Sequence, residues 1–170
     1  MITQKNYERA RNDPEFAQEF LDRIQLNRLE RYVSKVVYNP FQETRTEMST
    51  IYPLYANAMG IIGRRSRVLV YPWAFSEAFY PSVDDFLSNL FYHEGLHAKE
   101  NFHGVLLAAH LNNIENPEIK GIAIAKADLR ALVNQAVHFN TRNSNKYMGE
   151  VRRRITKFKG YLRSKGVEVR

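Results

Sequence analysis

Ser82-Val83-Asp84-Asp85-Phe86-Leu87-Ser88-Asn89-Leu90-Phe91-Tyr92-His93-Glu94-Gly95-Leu96-His97 is the stretch around which the rest of this chain is read. Ser82 with an acid three residues later is a capping box, which predicts a helix start. Val83, Phe86, Leu87, Leu90 and Phe91 then recur at the spacing of an amphipathic helix. His93 and His97 fall in its second half, four residues apart and so on one face. Two imidazole nitrogens at that spacing can hold one tetrahedral zinc ion. Glu94, the next residue round the helix, is placed to take a proton from a water on that ion.

Composition limits the alternatives. The chain has 170 residues, enough for one domain with a real core, and at 44% hydrophobic and 12% aromatic it is globular in composition. It has no cysteine, so disulfides and thiolate ligands are excluded and any zinc must rest on His and carboxylates. No apolar run reaches membrane-spanning length, and residues 1–12 are too polar for a signal peptide. A cytoplasmic protein without a membrane partner is therefore expected. The net charge of +7 is uneven: residues 142–170 carry ten Lys/Arg against Glu150 and Glu168, which leaves residues 1–141 at −1. A basic C-terminal segment on a near-neutral body suits an anionic partner such as nucleic acid, or simply a solvated helix face.

Along the chain, residues 3–11 suit a short helix, and Asp13-Pro14-Glu15 is a helix start with Pro at the first position. Phe16, Phe20, Ile24, Leu29, Tyr32, Val33 and Val36 follow at helical spacing, which predicts a helix ended by Asn39-Pro40. Residues 51–62 and 67–71 are rich in Ile, Val and Tyr about a turn at residues 63–66, which predicts a β-hairpin or small sheet stopped by Pro72. Asn101 suits the left-handed end of the His93 helix. Further helices are expected from His103 or Gly104 to about Glu115 and over residues 118–140. The second of these has Ile119, Ile122, Leu129, Leu132, Val133 and Ala136 inward. A last helix carries the stripe Val151, Ile155, Phe158 and Leu162 among Arg152, Arg153, Arg154, Lys157, Lys159 and Arg163. The fold class expected is α+β, mostly helical. Residues 1–141 form the catalytic domain, and residues 142–170 a basic loop and amphipathic helix packed on it.

A catalytic zinc needs a third protein ligand and one open position. His103, six residues after His97, is the leading candidate. Six residues of continuous helix turn about 600°, so His103 serves only if the chain turns sharply near Asn101. Glu115, Glu118 and Asp128 are its competitors, and Glu100 could orient a ligand from behind. His110 and His138 read as ordinary helix residues.

The run from about residue 57 to residue 112 resembles the SprT-like and WLM groups of small zinc peptidases. The shared pattern is a Gly-containing hairpin, the strand Arg67-Val68-Leu69-Val70-Tyr71, the H-E-x-x-H helix, and His103-Gly104-Val105-Leu106-Leu107 opening a new helix. His93, Glu94, His97 and His103 are the functional positions that carry over. The resemblance implies a zincin-like α+β core and, in several members, action on proteins attached to DNA. The function expected is zinc-dependent hydrolysis of peptide bonds in a protein or peptide substrate. Zn2+ would sit on His93, His97 and His103, Glu94 would be general base, and the strand over residues 67–71 would be a free sheet edge for substrate. The alternative of another class is a nucleic-acid- or assembly-binding structural protein whose metal site is structural or vestigial.

Overall fold

The computed structural model describes residues 1–41, 48–51, 65–103 and 114–169. Helices α1 (Gln4–Asn12) and α2 (Pro14–Asp22) start as their sequences dictate: Thr3 accepts from the Asn6 amide and Asp13 from the Phe16 amide. A 3-10 turn (Asn27–Arg31) follows, entered through Asn27 at φ 48°. Strand β1 (Val33–Tyr38) comes next, then β2 (Met48–Ile51) and β3 (Ser66–Val70). After a second 3-10 turn (Pro72–Phe75) the chain enters α3 (Val83–Ser88), a π-helical turn (Asn89–Glu94) and α4 (Gly95–Phe102), one winding with helical backbone at both joins. Two long helices close the order, α5 (Pro117–Val137) and α6 (Asn145–Ser164). The architecture is thus α+β and mostly helical. No helix among the described residues is long and apolar enough to cross a membrane.

The sheet has the order β1-β3-β2, with β1 parallel and β2 antiparallel to β3. This corrects two expectations. The strand expected over residues 67–71 is central and hydrogen-bonded on both sides, so it offers no free edge. The helix expected to run from Pro14 to Asn39 ends at Asp22, and its last part is β1. The cause of the misreading is a bulge: the register slips between Val33 and Lys35, so that Val33 and Val36, three residues apart, are both buried. Three-residue spacing normally signals a helix; here an extra strand residue produces it. The antiparallel partner of β3 is β2, over residues 48–51, which lies upstream of the arm expected over residues 51–62; residues 52–62 of that arm lie outside the described residues. So does most of the helix expected between residues 103 and 115.

An aromatic cluster of Tyr7, Phe20, Phe75 and Phe86 forms the centre of the core, with ring centroids 5.4 to 6.1 Å apart. The Tyr7 hydroxyl bonds the carbonyls of Ala74 (3.0 Å) and Tyr80 (2.9 Å), and burial pushes its ionisation far up. The predicted capping box of α3 is present. The Asp85 amide donates to Ser82 Oγ at 3.1 Å and the Ser82 amide to Asp85 Oδ2 at 3.2 Å. Asp85 is also fully buried, and its Oδ1 accepts from Asn143 Nδ2 (3.1 Å) and the Ser144 amide (2.9 Å), the N-cap of α6. One carboxylate therefore ties the start of the His93 helix to the start of the basic one.

Helix α6 packs along α5. Tyr147 and Val151 enter the main core, while Leu162 joins Ala125 and Leu129 in a second cluster. Ile119 and Val133, expected inward, are exposed, as is Val137. The buried arc of α5 is set by α4 on one side and α6 on the other, and these three lie on the remaining stripe. Asn101 does not end its helix. It is fully buried inside α4, with Nδ2 donating to Ser66 Oγ at 3.1 Å, and the helix runs on to Phe102.

Candidate metal centre

His93 belongs to the π-helical turn and His97 to the first turn of α4. The Gly95 amide reaches back five residues to the Leu90 carbonyl, the wider winding that π turns bring to functional sites. On α5, Asn134 Nδ2 donates to the Tyr92 carbonyl at 2.7 Å, which fixes the helix backbone beside His93. The His138 ring stacks on Tyr92 at 4.4 Å and 11°, so α5 grips the turn through two side chains. The two imidazoles lie with centroids 5.0 Å apart and planes at 78°. Gly95 sits where a Cβ would stand 2.8 Å from a Leu29 methyl, so the bare helix surface there admits Leu29.

The third member of the cluster comes from α5. One ligand atom each from His93, His97 and Asp128 lie within 4.8 Å of one another. His97 Nε2 is 3.4 Å from Asp128 Oδ1. His93 and Glu94 are buried, His97 nearly so, and the Asp128 side chain is 29% exposed, which makes it the solvent side of the group. Glu100 forms a two-pronged ion pair with Arg130 at 2.8 and 3.0 Å. That pair locks α4, which carries His97, to α5, which carries Asp128.

Electrostatics divide the two histidines. Burial, then the charges of His97 and Arg154, hold His93 well below its ordinary value, so its ring is neutral with a free lone pair. Burial also opposes a charge on His97. There the hydrogen bond that His97 donates to Asp128, together with the charges of Glu94, Asp128 and Glu100, prevails and raises it. His93 Nδ1 is buried with no hydrogen-bond partner among the described residues. A buried nitrogen with no partner is costly unless something binds it. Two imidazoles and a carboxylate are a fitting donor set for zinc, which takes nitrogen and oxygen ligands in a tetrahedron.

His103 is not in this group. It stands exposed just past the end of α4, its ring 5.7 Å from that of Tyr32. The chain does not fold back at Asn101, so the turn that His103 requires is absent. Glu118 is paired with Lys165 at 2.7 Å, and Glu115 is exposed; neither joins the group. His110 lies outside the described residues. Asp128 was visible in the sequence only as one of several acids. Asn134 and Arg154 carried no signal, because both act across helix contacts with no fixed sequence spacing.

No protein-family model, curated protein or solved structure matches this chain.

Proposed function

We propose that this chain is a zinc-dependent hydrolase acting on peptide bonds, with His93, His97 and Asp128 holding the metal and Glu94 as general base. The observation that carries the reading is the convergence of those three side chains within 4.8 Å beside a buried Glu94. Zinc at such a site supplies Lewis acidity, which polarises the scissile carbonyl and acidifies water. Glu94 takes the proton of the attacking water and returns it to the leaving amine. Asp128 in place of His103 departs from the ligand pattern of the SprT-like and WLM groups, so the zincin-like resemblance supports the motif helix and not the whole ligand set. A cytoplasmic setting and a protein or peptide substrate belong to the same reading.

The test combines metal analysis with hydrolysis of an unfolded protein substrate. Glu94→Gln is expected to keep zinc and lose turnover by ~10²–10⁴-fold. Activity that survives this change removes Glu94 as the base. His103→Ala is expected to keep both zinc and activity; loss of zinc there would restore His103 as the ligand.

The second reading is a structural protein that binds nucleic acid or an acidic assembly, with the metal site structural or vestigial. Its support is the His97–Asp128 contact, which directly joins two helices, and the exposed Arg152, Arg153 and Lys157 on α6. Under it, Glu94→Gln changes nothing measurable, and DNA binding shows a steep salt dependence.

A further inference from the structure

A cleft of about 430 Å³ lies between the start of α6 and the segment before α3, with Tyr80, Tyr147, Glu150, Arg153, Arg154 and Lys157 in its wall. Three cations against one acid give it a positive character. Arg153 is spoken for: its guanidinium takes both oxygens of Glu150, at 2.8 and 2.9 Å. Arg154 and Lys157 have no hydrogen-bond or ion-pair partner among the described residues, and Arg154 is half-buried. Tyr80 and Tyr147 are both buried and their rings meet at 5.4 Å, which gives the cleft a rigid floor.

The arrangement has a cation fork beside a cavity large enough for a small acid group.

We infer that the α6 cleft is an oxyanion-binding site: Arg154, assisted by Lys157, binds a phosphate or carboxylate group. Its role as a substrate subsite rests on the hydrolase reading above; its ability to bind an anion does not. Arg154 suits the task because its planar fork gives two parallel hydrogen bonds to such a group, whereas Lys157 adds a point charge. Under that reading the group is an acidic or phosphorylated residue, or a free C-terminal carboxylate, of the peptide substrate.

The experiment titrates inorganic phosphate and, separately, acetate into the metal-free full chain, followed by NMR of backbone amides. Saturable shifts centred on residues 147–157 are expected. Arg154→Ala should weaken binding at least about tenfold, as loss of a two-pronged charged contact does. Arg152→Ala, which removes an equal charge outside the cleft, should leave it nearly unchanged. Arg154→Lys, which keeps the charge and is the safer variant for folding, should still lose several-fold because the fork is gone. Tighter phosphate than acetate names a phosphorylated group; the reverse names a carboxylate. Shifts that never saturate, or equal losses in Arg152→Ala and Arg154→Ala, overturn the subsite. Zinc content is read on the same variants. Zinc retained with phosphate binding unaffected by Arg154→Ala removes this inference alone, whereas zinc lacking in the parent chain removes the hydrolase reading alone.

Discussion

Two buried polar clusters fasten the helix that carries His93 to the C-terminal helices, and they are built differently. At its start, Asp85 receives the Ser82 amide, Asn143 Nδ2 and the Ser144 amide, so both oxygens are engaged. At its middle, His93 keeps one ring nitrogen without a partner among the described residues, beside His97 and Asp128 in loose 3.4 Å contact. A fully satisfied buried group stabilises a structure, whereas an unsatisfied one costs stability and so calls for an explanation in function. The comparison separates what holds the fold from what the fold holds ready.

Metal addition should separate the clusters most sharply. With free zinc about 1,000-fold above Kd, the folded state gains ~4 kcal/mol, read as a rise in melting temperature. His93→Ala should abolish that gain, and Asp85→Asn should keep it. An equal zinc response in wild type and His93→Ala would erase the distinction.

Next in size is Asp85 itself. Asp85→Ala removes the acceptor of three donors, one buried and two part-buried, and should cost about 3 kcal/mol in denaturant unfolding of the metal-free chain. A loss below about 1 kcal/mol would mean that water enters and replaces the carboxylate.

Asp128→Asn probes the looser cluster by pH. Burial then meets less opposition at His97, so its ionisation should fall, as followed by the ring proton shifts. His97 is raised above its ordinary 6.5 in the folded chain. The stability it contributes is therefore fully present below about pH 6.5 and is lost as pH rises through the raised value. Asp128→Asn should cost the metal-free chain more at pH 6 than at pH 9. His93 has the opposite sign, because its lowered value favours the folded state above pH 6.5 and disfavours it in acid. His93→Ala alone should flatten the acid limb.

The smallest effect is expected at the Glu100–Arg130 pair. The Arg130 side chain is 44% exposed, so Arg130→Ala should cost only about 0.5 kcal/mol. Its consequence should show instead as a modest loss of zinc affinity, because α5 would hold Asp128 less firmly. A large stability loss with unchanged zinc affinity would make that pair a fold anchor like Asp85.

The chain announced its local features well and its long-range ones unevenly. The starts of α2 and α3 were legible because a cap and the amide it satisfies lie within three residues of one another; that of α6 was not, since its N-cap Ser144 lies in a stretch that reads as a polar loop. Strand β3 was legible in outline, but β2, over residues 48–51, was not expected as its partner. Strand β1 was not, since a bulge gave Val33 and Val36 a helical spacing. Nor was the free edge assigned to β3, because strand order is a property of the packed sheet and not of any one strand.

Sequence by itself determined that His93 and His97 share one face of a capped helix with Glu94 beside them. That follows from helical geometry alone, which sets positions a few residues apart without help from the rest of the molecule. Only the tertiary structure decided that Asp128, 31 residues beyond His97, completes the cluster while His103, six beyond, turns away to Tyr32. The physical reason is that a contact between helices depends on how α4 and α5 pack, and packing is selected by the whole core at once.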